Sequence, residues 1–514
     1  MSKKQDEVLV LGARDLVVED LAAVLGDTPP RLELSPESRE RCAASRAVVE
    51  RVLAEGKTVY GVNTGFGKLA DRRIEDDKLQ LLQRNLILSH ATGVGRALPK
   101  EISRLMLVLR LQALSRGISG VRQELLDRLL ELYNLDLLPV IPEQGSVGAS
   151  GDLAPLAHMA IVLLGDGEVW RGEERIHAGE ALAAKGIEPF ELSAKEGLAL
   201  INGTQCMTAI GVQTLLLAER LVKTADVACA LSLEALKGST APFQPGVHEA
   251  RGQEGQIRTA QNLLRLLAES QVVESHVDCD RVQDPYSLRC VPQVHGAVRD
   301  AIAYVRRILS FEINAATDNP LIFPNGDVIS AGNFHGQSVS QAMDFLGIAL
   351  STLANISERR IENMVNPALS RMPAFLAPNP GLESGFMIPQ VVAASLASEN
   401  KVLAHPSSVD TIPTSANQED HVSMGVTAAR HARDIANNTA KVIGIELLCG
   451  AQGLSFARDH KAGKGVELAY ARIRQDIPPL TQDRFLAPDL LSAEILVTSG
   501  AILAAVEPTV PLQA

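Results

Sequence analysis

The sequence predicts a mainly α-helical protein, a bundle of long helices preceded by a loop-rich N-terminal part. Three observations carry that reading. Aromatic residues make up 3% of the 514 and Trp170 is the single tryptophan, whereas Leu, Ala, Val and Ile abound, a bias that favours packed helices over a sheet sandwich. Residues 213–236, 292–311, 338–363 and 421–450 are apolar on most faces, as helices enclosed by other helices are. A glycine-rich first part gives way to these helices near residue 205, which suggests an N-terminal domain over 1–205 and a helical domain over 206–514.

In chain order, residues 58–68 (TVYGVNTGFGK) hold three glycines and one phenol. Five residues separate Gly61 from Gly67, one too many for a phosphate loop, and Leu69 stands where Ser or Thr is needed, so the nucleotide reading fails. What remains is either a lid that carries Tyr60 into a site or a structural turn with a packed tyrosine. Residues 104–118 (RLMLVLRLQALSRGI) are apolar at helical spacing, with Gly120 as the stop. In 145–155 (GSVGASGDLAP), Asp152 reads as an N-cap and Pro155 falls in the first turn of a helix that runs through 156–164. Ala149, Ser150 and Gly151 then face the positive end of its dipole. Residues 168–176 (EVWRGEERI) read as a hairpin with Arg171 and Gly172 at its turn. In 283–289 (QDPYSLR), Asp284 caps a helix and Pro285 takes its first position. Gln283, Tyr286 and Arg289 then share roughly a third of the helix circumference and converge on one ligand. The stretch 312–320 (EINAATDNP) is a helix end followed by a turn.

The net charge of -12 opposes binding to nucleic acid or to an anionic membrane surface, and a small-molecule ligand fits better. No apolar run reaches the length of a membrane span. The N-terminal MSKKQDE lacks the apolar core of a secretion signal. Cys42, Cys206, Cys229, Cys279, Cys290 and Cys449 are scattered without a Cys-x-x-Cys pair, which points to thiols in a reducing cytoplasm. The 11 histidines form no compact ligand set, so no metal is expected, and no dinucleotide or pyridoxal signature is present.

Gly151 has no Cβ and Ala149 little bulk, so the Gly151 nitrogen can approach the Ala149 carbonyl. With its flanks, this triplet resembles that of the histidine and aromatic amino acid ammonia-lyases, in which Ala-Ser-Gly closes on itself and loses two waters. The resemblance implies a methylidene-imidazolone ring (MIO) formed from Ala149, Ser150 and Gly151, with no external cofactor. Its exocyclic carbon, derived from Ser150, is an electrophile sharpened by the helix end. The Tyr60 loop is similar to the one that supplies the family's tyrosine base; a phenol titrates near ~10, so its ionised form needs a helix end or a nearby cation. The motif 283–289 matches the family's residue for residue, implying Arg289 for a substrate carboxylate, Tyr286 in proton transfer and Gln283 beside them; a bidentate grip on carboxylate is one that Lys could not reproduce. Asn202 resembles the family residue that supports the MIO oxygen and the substrate, and Phe334 a wall of the pocket.

Ser89-His90 stands where phenylalanine-specific relatives carry Phe-Leu, and Glu419 where phenyl-directed relatives carry glutamine. A carboxylate accepts a hydrogen bond from an imidazole N–H and is left desolvated beside a phenyl ring, so His90 and Glu419 together favour L-histidine. The resemblance therefore implies non-oxidative deamination of L-histidine to trans-urocanate and ammonia, on the family's aspartase/fumarase-like helical fold. It also implies a homotetramer whose sites combine residues of three chains. The alternatives are a tyrosine or phenylalanine ammonia-lyase or an aminomutase, a fumarase-type lyase with a mobile serine loop and, in a different class, a non-catalytic helical binding protein. Thr92 and Ala331 depart from the family pattern of Ala and Gly.

Overall fold

The computed structural model describes residues 7–513 apart from 278, 280 and 458. The opening segment, read above as lacking a secretion signal, lies outside the described residues up to Asp6. Among the described residues the protein is mainly helical, and its sheets are two-stranded pairs. No described helix is long and apolar enough to cross a membrane.

The long helices are Gln205–Ala235, Val291–Glu312, Gln337–Val365 and Gly425–Ser455. The first starts well before residue 213 because its entry is set by a distant group: the Asp152 carboxylate accepts from the Cys206 and Met207 amides at 2.7 and 2.9 Å. The last starts after residue 421 because Met424 is left-handed, with φ 54, and its amide is drawn to the Val147 carbonyl at 2.9 Å.

By the density of their contacts the described residues form two compact units. The first holds the chain up to 213 with 306–343 and 406–430. It opens with two parallel strands, Val8–Leu11 and Arg31–Leu34, and with the helix Pro36–Ala54, whose Ser35 cap accepts from the Ser38 amide. The helix Lys100–Ser115 is buried from Ile102 onward apart from the half-buried Arg104, with Leu105, Met106 and Leu107 fully enclosed. Each such side chain stabilises by roughly 1.5–3 kcal/mol. This helix stops at Gly117 rather than Gly120, since Gly117 already has φ 72. In the hairpin, Arg171 pairs with Glu174, so the turn is Gly172-Glu173, one residue beyond the expected pair; Gly172 supplies the left-handed φ of 63. The helix after the Ala-Ser-Gly triplet spans Leu153–Ile161 and tightens into 3-10 geometry over Val162–Leu164. Asp152 holds its N-cap position, but its side chain makes no cap hydrogen bond there, because the carboxylate serves the other helix.

The second unit holds 214–305, 344–405 and the described residues from 431 onward. Inside it, the fully buried Arg360 and Glu446 pair at 2.8 Å, with Ser232 and Ser357 donating to the same carboxylate. Residues Tyr286–Arg289 form a single helical turn with Pro285, not Asp284, in the cap position. The Asp284 carboxylate instead accepts from the Ser239 amide at 2.6 Å.

Candidate active site

The triplet is held on a backbone that only glycine allows at its last position. Gly151 has φ 76, and a Cβ there would collide with the Gly203 carbonyl. That carbonyl accepts from the Asp152 amide at 2.7 Å, and the two segments form a parallel bridge. Asp152 is fully buried; its Oδ2 takes the two helix amides and its Oδ1 has no partner. Burial pushes its pKa up to about 7 against the pull of those amides.

Beneath lies a buried polar layer. The Arg110 guanidinium donates to the Asn202 carbonyl at 3.0 Å and to Gln205 Oε1 at 2.8 Å. Lys195 and Asp318 form a buried ion pair at 2.7 Å, and Thr204 donates to Glu312. On the other side, Ala149 packs against Val422 and Met424.

A cavity of about 810 Å³ opens in front of Ser150. It brings together Tyr60, His90, Asn202, Phe334 and Glu419, five positions dispersed along the sequence. Ser150 Oγ donates to Glu419 Oε1 at 3.2 Å, and Thr414 Oγ1 donates to Oε2 at 2.7 Å. Thr414 and Glu419 are bridged across Ser415, Ala416 and Asn417, all left-handed with φ 49, 53 and 65. Each such residue carries a cost of roughly 1 kcal/mol or more.

His90 lies 3.0 Å from the Ser89 hydroxyl through Nδ1. Burial lowers its pKa and so favours the neutral ring. Burial raises the Tyr60 pKa, the Gly67 amide opposes the rise, and the charges of Glu419 and Asp318 add to it. The Gly67 amide that opposes the rise opens the short 3-10 helix Gly67–Leu69, whereas no cation is among the groups that shift Tyr60 and no Lys or Arg is among the described residues of the cavity lining. Asn202 is buried, donates to the Asn319 carbonyl at 3.1 Å and keeps an unpartnered Oδ1. Leu82, Leu86, Leu153, Leu198 and Ile201 supply the apolar wall.

Sequence reasoning missed Asn85, Asn319, Ser330 and Ser415, which also line the cavity. Asn85 was findable: it lies on the helix Leu79–His90, four residues before Ser89, hence on the same face. Asn319 belongs to the stretch set aside above as a structural turn; its Oδ1 accepts from the Ala331 amide at 2.7 Å, which places the departing residue Ala331 in the wall.

Gln283, Tyr286 and Arg289 belong to the second unit, where they line a cavity of about 450 Å³ with Arg281, Asn363 and Arg371; Gln283 precedes the helical turn Tyr286–Arg289, so the three meet at the cavity without sharing one helix face. Tyr286 is 70% exposed, and the Arg289 guanidinium carbon lies 4.4 Å from its ring centroid. Among the described residues, no group of three His, Cys, Asp or Glu side chains could hold a metal ion.

A helical protein with a glycine-anchored Ala-Ser-Gly at the mouth of an apolar cavity has the design of an aromatic amino acid lyase. The sequence model of the family described as aromatic amino acid lyase matches residues 16–475, and the chain belongs to that family. Its similarity extends to individual members: it is 53% identical over 476 residues to the histidine ammonia-lyase of Myxococcus xanthus, covering 92% of this chain and 94% of that one. Among solved structures, the histidine ammonia-lyase of Trypanosoma cruzi superposes with a TM-score of 0.91 at 43% identity, covering 98% and 96% of the two chains. The tyrosine aminomutase of Streptomyces globisporus superposes with a TM-score of 0.93 at 36% identity, covering 98% and 99%.

Proposed function

We propose that this chain deaminates L-histidine to trans-urocanate and ammonia, using an MIO ring formed from Ala149, Ser150 and Gly151. The observation that carries the reading is the pairing of Glu419 with Ser150 in one cavity: a carboxylate suited to an imidazole N–H lies 3.2 Å from the hydroxyl that ring closure would consume. The triplet fits the group, since Gly151 is left-handed with no room for a Cβ against the Gly203 carbonyl. Once formed, the ring supplies an electrophile that no ordinary side chain offers.

The chain's own residues do the rest. Glu419 accepts from one imidazole nitrogen, and His90, kept neutral by burial, is available to the ring as donor or acceptor. Tyr60 takes the proton from the substrate's β-carbon as the carbon–nitrogen bond breaks and ammonia leaves. Phe334 and the leucines exclude water. The substrate carboxylate needs a cation, which the cavity lining lacks. Arg289 of the partner subunit meets that need, with Tyr286 and Gln283 beside it, in a homotetramer whose sites combine three chains. That arrangement also gives Tyr60 the positive charge it lacks. Free thiols throughout agree with a cytoplasmic enzyme.

Intact mass tests the ring directly. The parent chain is expected to be lighter than its calculated mass by two waters, and Ser150→Ala to have its full mass and no activity. A parent of full mass, or an active Ser150→Ala, contradicts the reading.

A further inference from the structure

We infer that Thr414 is a positioning residue for Glu419: its hydroxyl holds one carboxylate oxygen so that the other is presented to the substrate ring. The inference rests on the proposed role of Glu419 in imidazole recognition. A glutamate side chain turns about three bonds, and its carboxylate alone does not select which oxygen faces a ligand. Here the two oxygens are differentiated. Oε2 accepts from Thr414 Oγ1 at 2.7 Å, inside the turn, while Oε1 points to the cavity and accepts from Ser150 Oγ at 3.2 Å. Loss of that serine oxygen on ring closure would leave Oε1 without its donor and available to an imidazole N–H.

The backbone is built to keep Thr414 opposite Glu419. The Thr414 amide donates to the Glu419 carbonyl at 2.9 Å, and the Glu419 amide returns to the Thr414 carbonyl at 3.3 Å. Between them the chain reverses through Ser415, Ala416 and Asn417, three residues with side chains in the left-handed region, an arrangement that persists only where its ends are firmly tied. The Tyr60 loop rests on the same turn: a Cβ on Gly67 would lie 2.7 Å from Ser415 Oγ, so Gly67 permits the contact. Thr414 thereby fixes the orientation of the group that distinguishes imidazole from phenyl.

The test is equilibrium binding of trans-urocanate and of its phenyl counterpart trans-cinnamate to the mature enzyme, alongside steady-state kinetics with L-histidine. Thr414→Val is expected to weaken urocanate binding about tenfold or more, as loss of a hydrogen bond to a charged group does, and to leave cinnamate unchanged. KM for L-histidine should rise by a similar factor with a smaller change in kcat, and Thr414→Ser should restore the parent values. Should Thr414→Val fail to fold, Thr414→Ala carries the same expectation. Equal weakening of both ligands, no weakening of either, or failure of Thr414→Ser to restore binding overturns the inference. A parent enzyme that yields no urocanate from L-histidine removes the substrate reading itself, and the role of Thr414 with it.

Discussion

Ser150 Oγ donates to Glu419 Oε1 at 3.2 Å, a contact between residues 269 positions apart that joins the serine of the triplet to the carboxylate facing the cavity. On the proposed function, this hydrogen bond links the residue that ring closure would consume to the residue that would choose the substrate ring.

Glu419→Gln removes the charge and keeps the shape. A hydrogen bond to a charged acceptor contributes about 1.5–3 kcal/mol, so kcat/KM for L-histidine should fall at least tenfold. Turnover of L-phenylalanine should hold steady or rise, because the phenyl ring no longer desolvates an unpaired carboxylate. Steady-state kinetics on both amino acids check this, and an equal loss on both would remove Glu419 from ring recognition.

Ser150→Ala and Arg289→Ala should each be inactive alone and partly active together. If Arg289 of the partner subunit completes the site, tetramers assembled from both variants contain sites with an intact triplet and an intact arginine. Co-expression and activity assay of the mixed assembly decide this; a mixture as dead as its parents would confine each site to one chain.

Asp152 makes stability depend on pH in a defined direction. Burial raises its pKa from 3.8 to about 7, so across that window the unfolded chain has released a proton that the folded chain still holds. Its contribution therefore falls as pH rises from about 4 to about 7 and levels off above. Asp152→Asn keeps an oxygen for the Cys206 and Met207 amides and abolishes the fall. Denaturant unfolding at several pH values should show the variant gaining on the parent across the window, and a constant difference would refute the assignment.

Asp318→Asn leaves Lys195 buried without its counter-charge. Breaking such a pair costs about 3–5 kcal/mol, readable as a lowered denaturant midpoint. Replacing both partners together, Lys195→Met with Asp318→Leu, should cost less than the single change, and the reverse order would contradict the account of the pair.

The helices were legible because their signal is local: apolar residues recur along 292–311 and 338–363, and the observed helices Val291–Glu312 and Gln337–Val365 depart by a residue or two. The helix stop at Gly117 and the hairpin turn were missed by a few residues locally, whereas two misread caps have partners far along the chain. Asp152 has the chemistry of a cap and is one, but for the helix at 205 rather than the helix it precedes. Asp284 likewise serves Ser239. The five cavity residues Tyr60, His90, Asn202, Phe334 and Glu419 were reached through the resemblance of their segments to the family's motifs. Thr414 and Asn319 carry no such signature, and only tertiary contact gives them a task.

The most direct measurement is product formation by the purified protein from L-histidine, L-tyrosine and L-phenylalanine, followed by ultraviolet absorbance with products identified by mass. Urocanate from L-histidine, with little or no product from the other two, is the predicted result. Preferential turnover of L-tyrosine or L-phenylalanine, or silence on all three from protein of mature mass, would contradict the assignment of His90 and Glu419 to an imidazole.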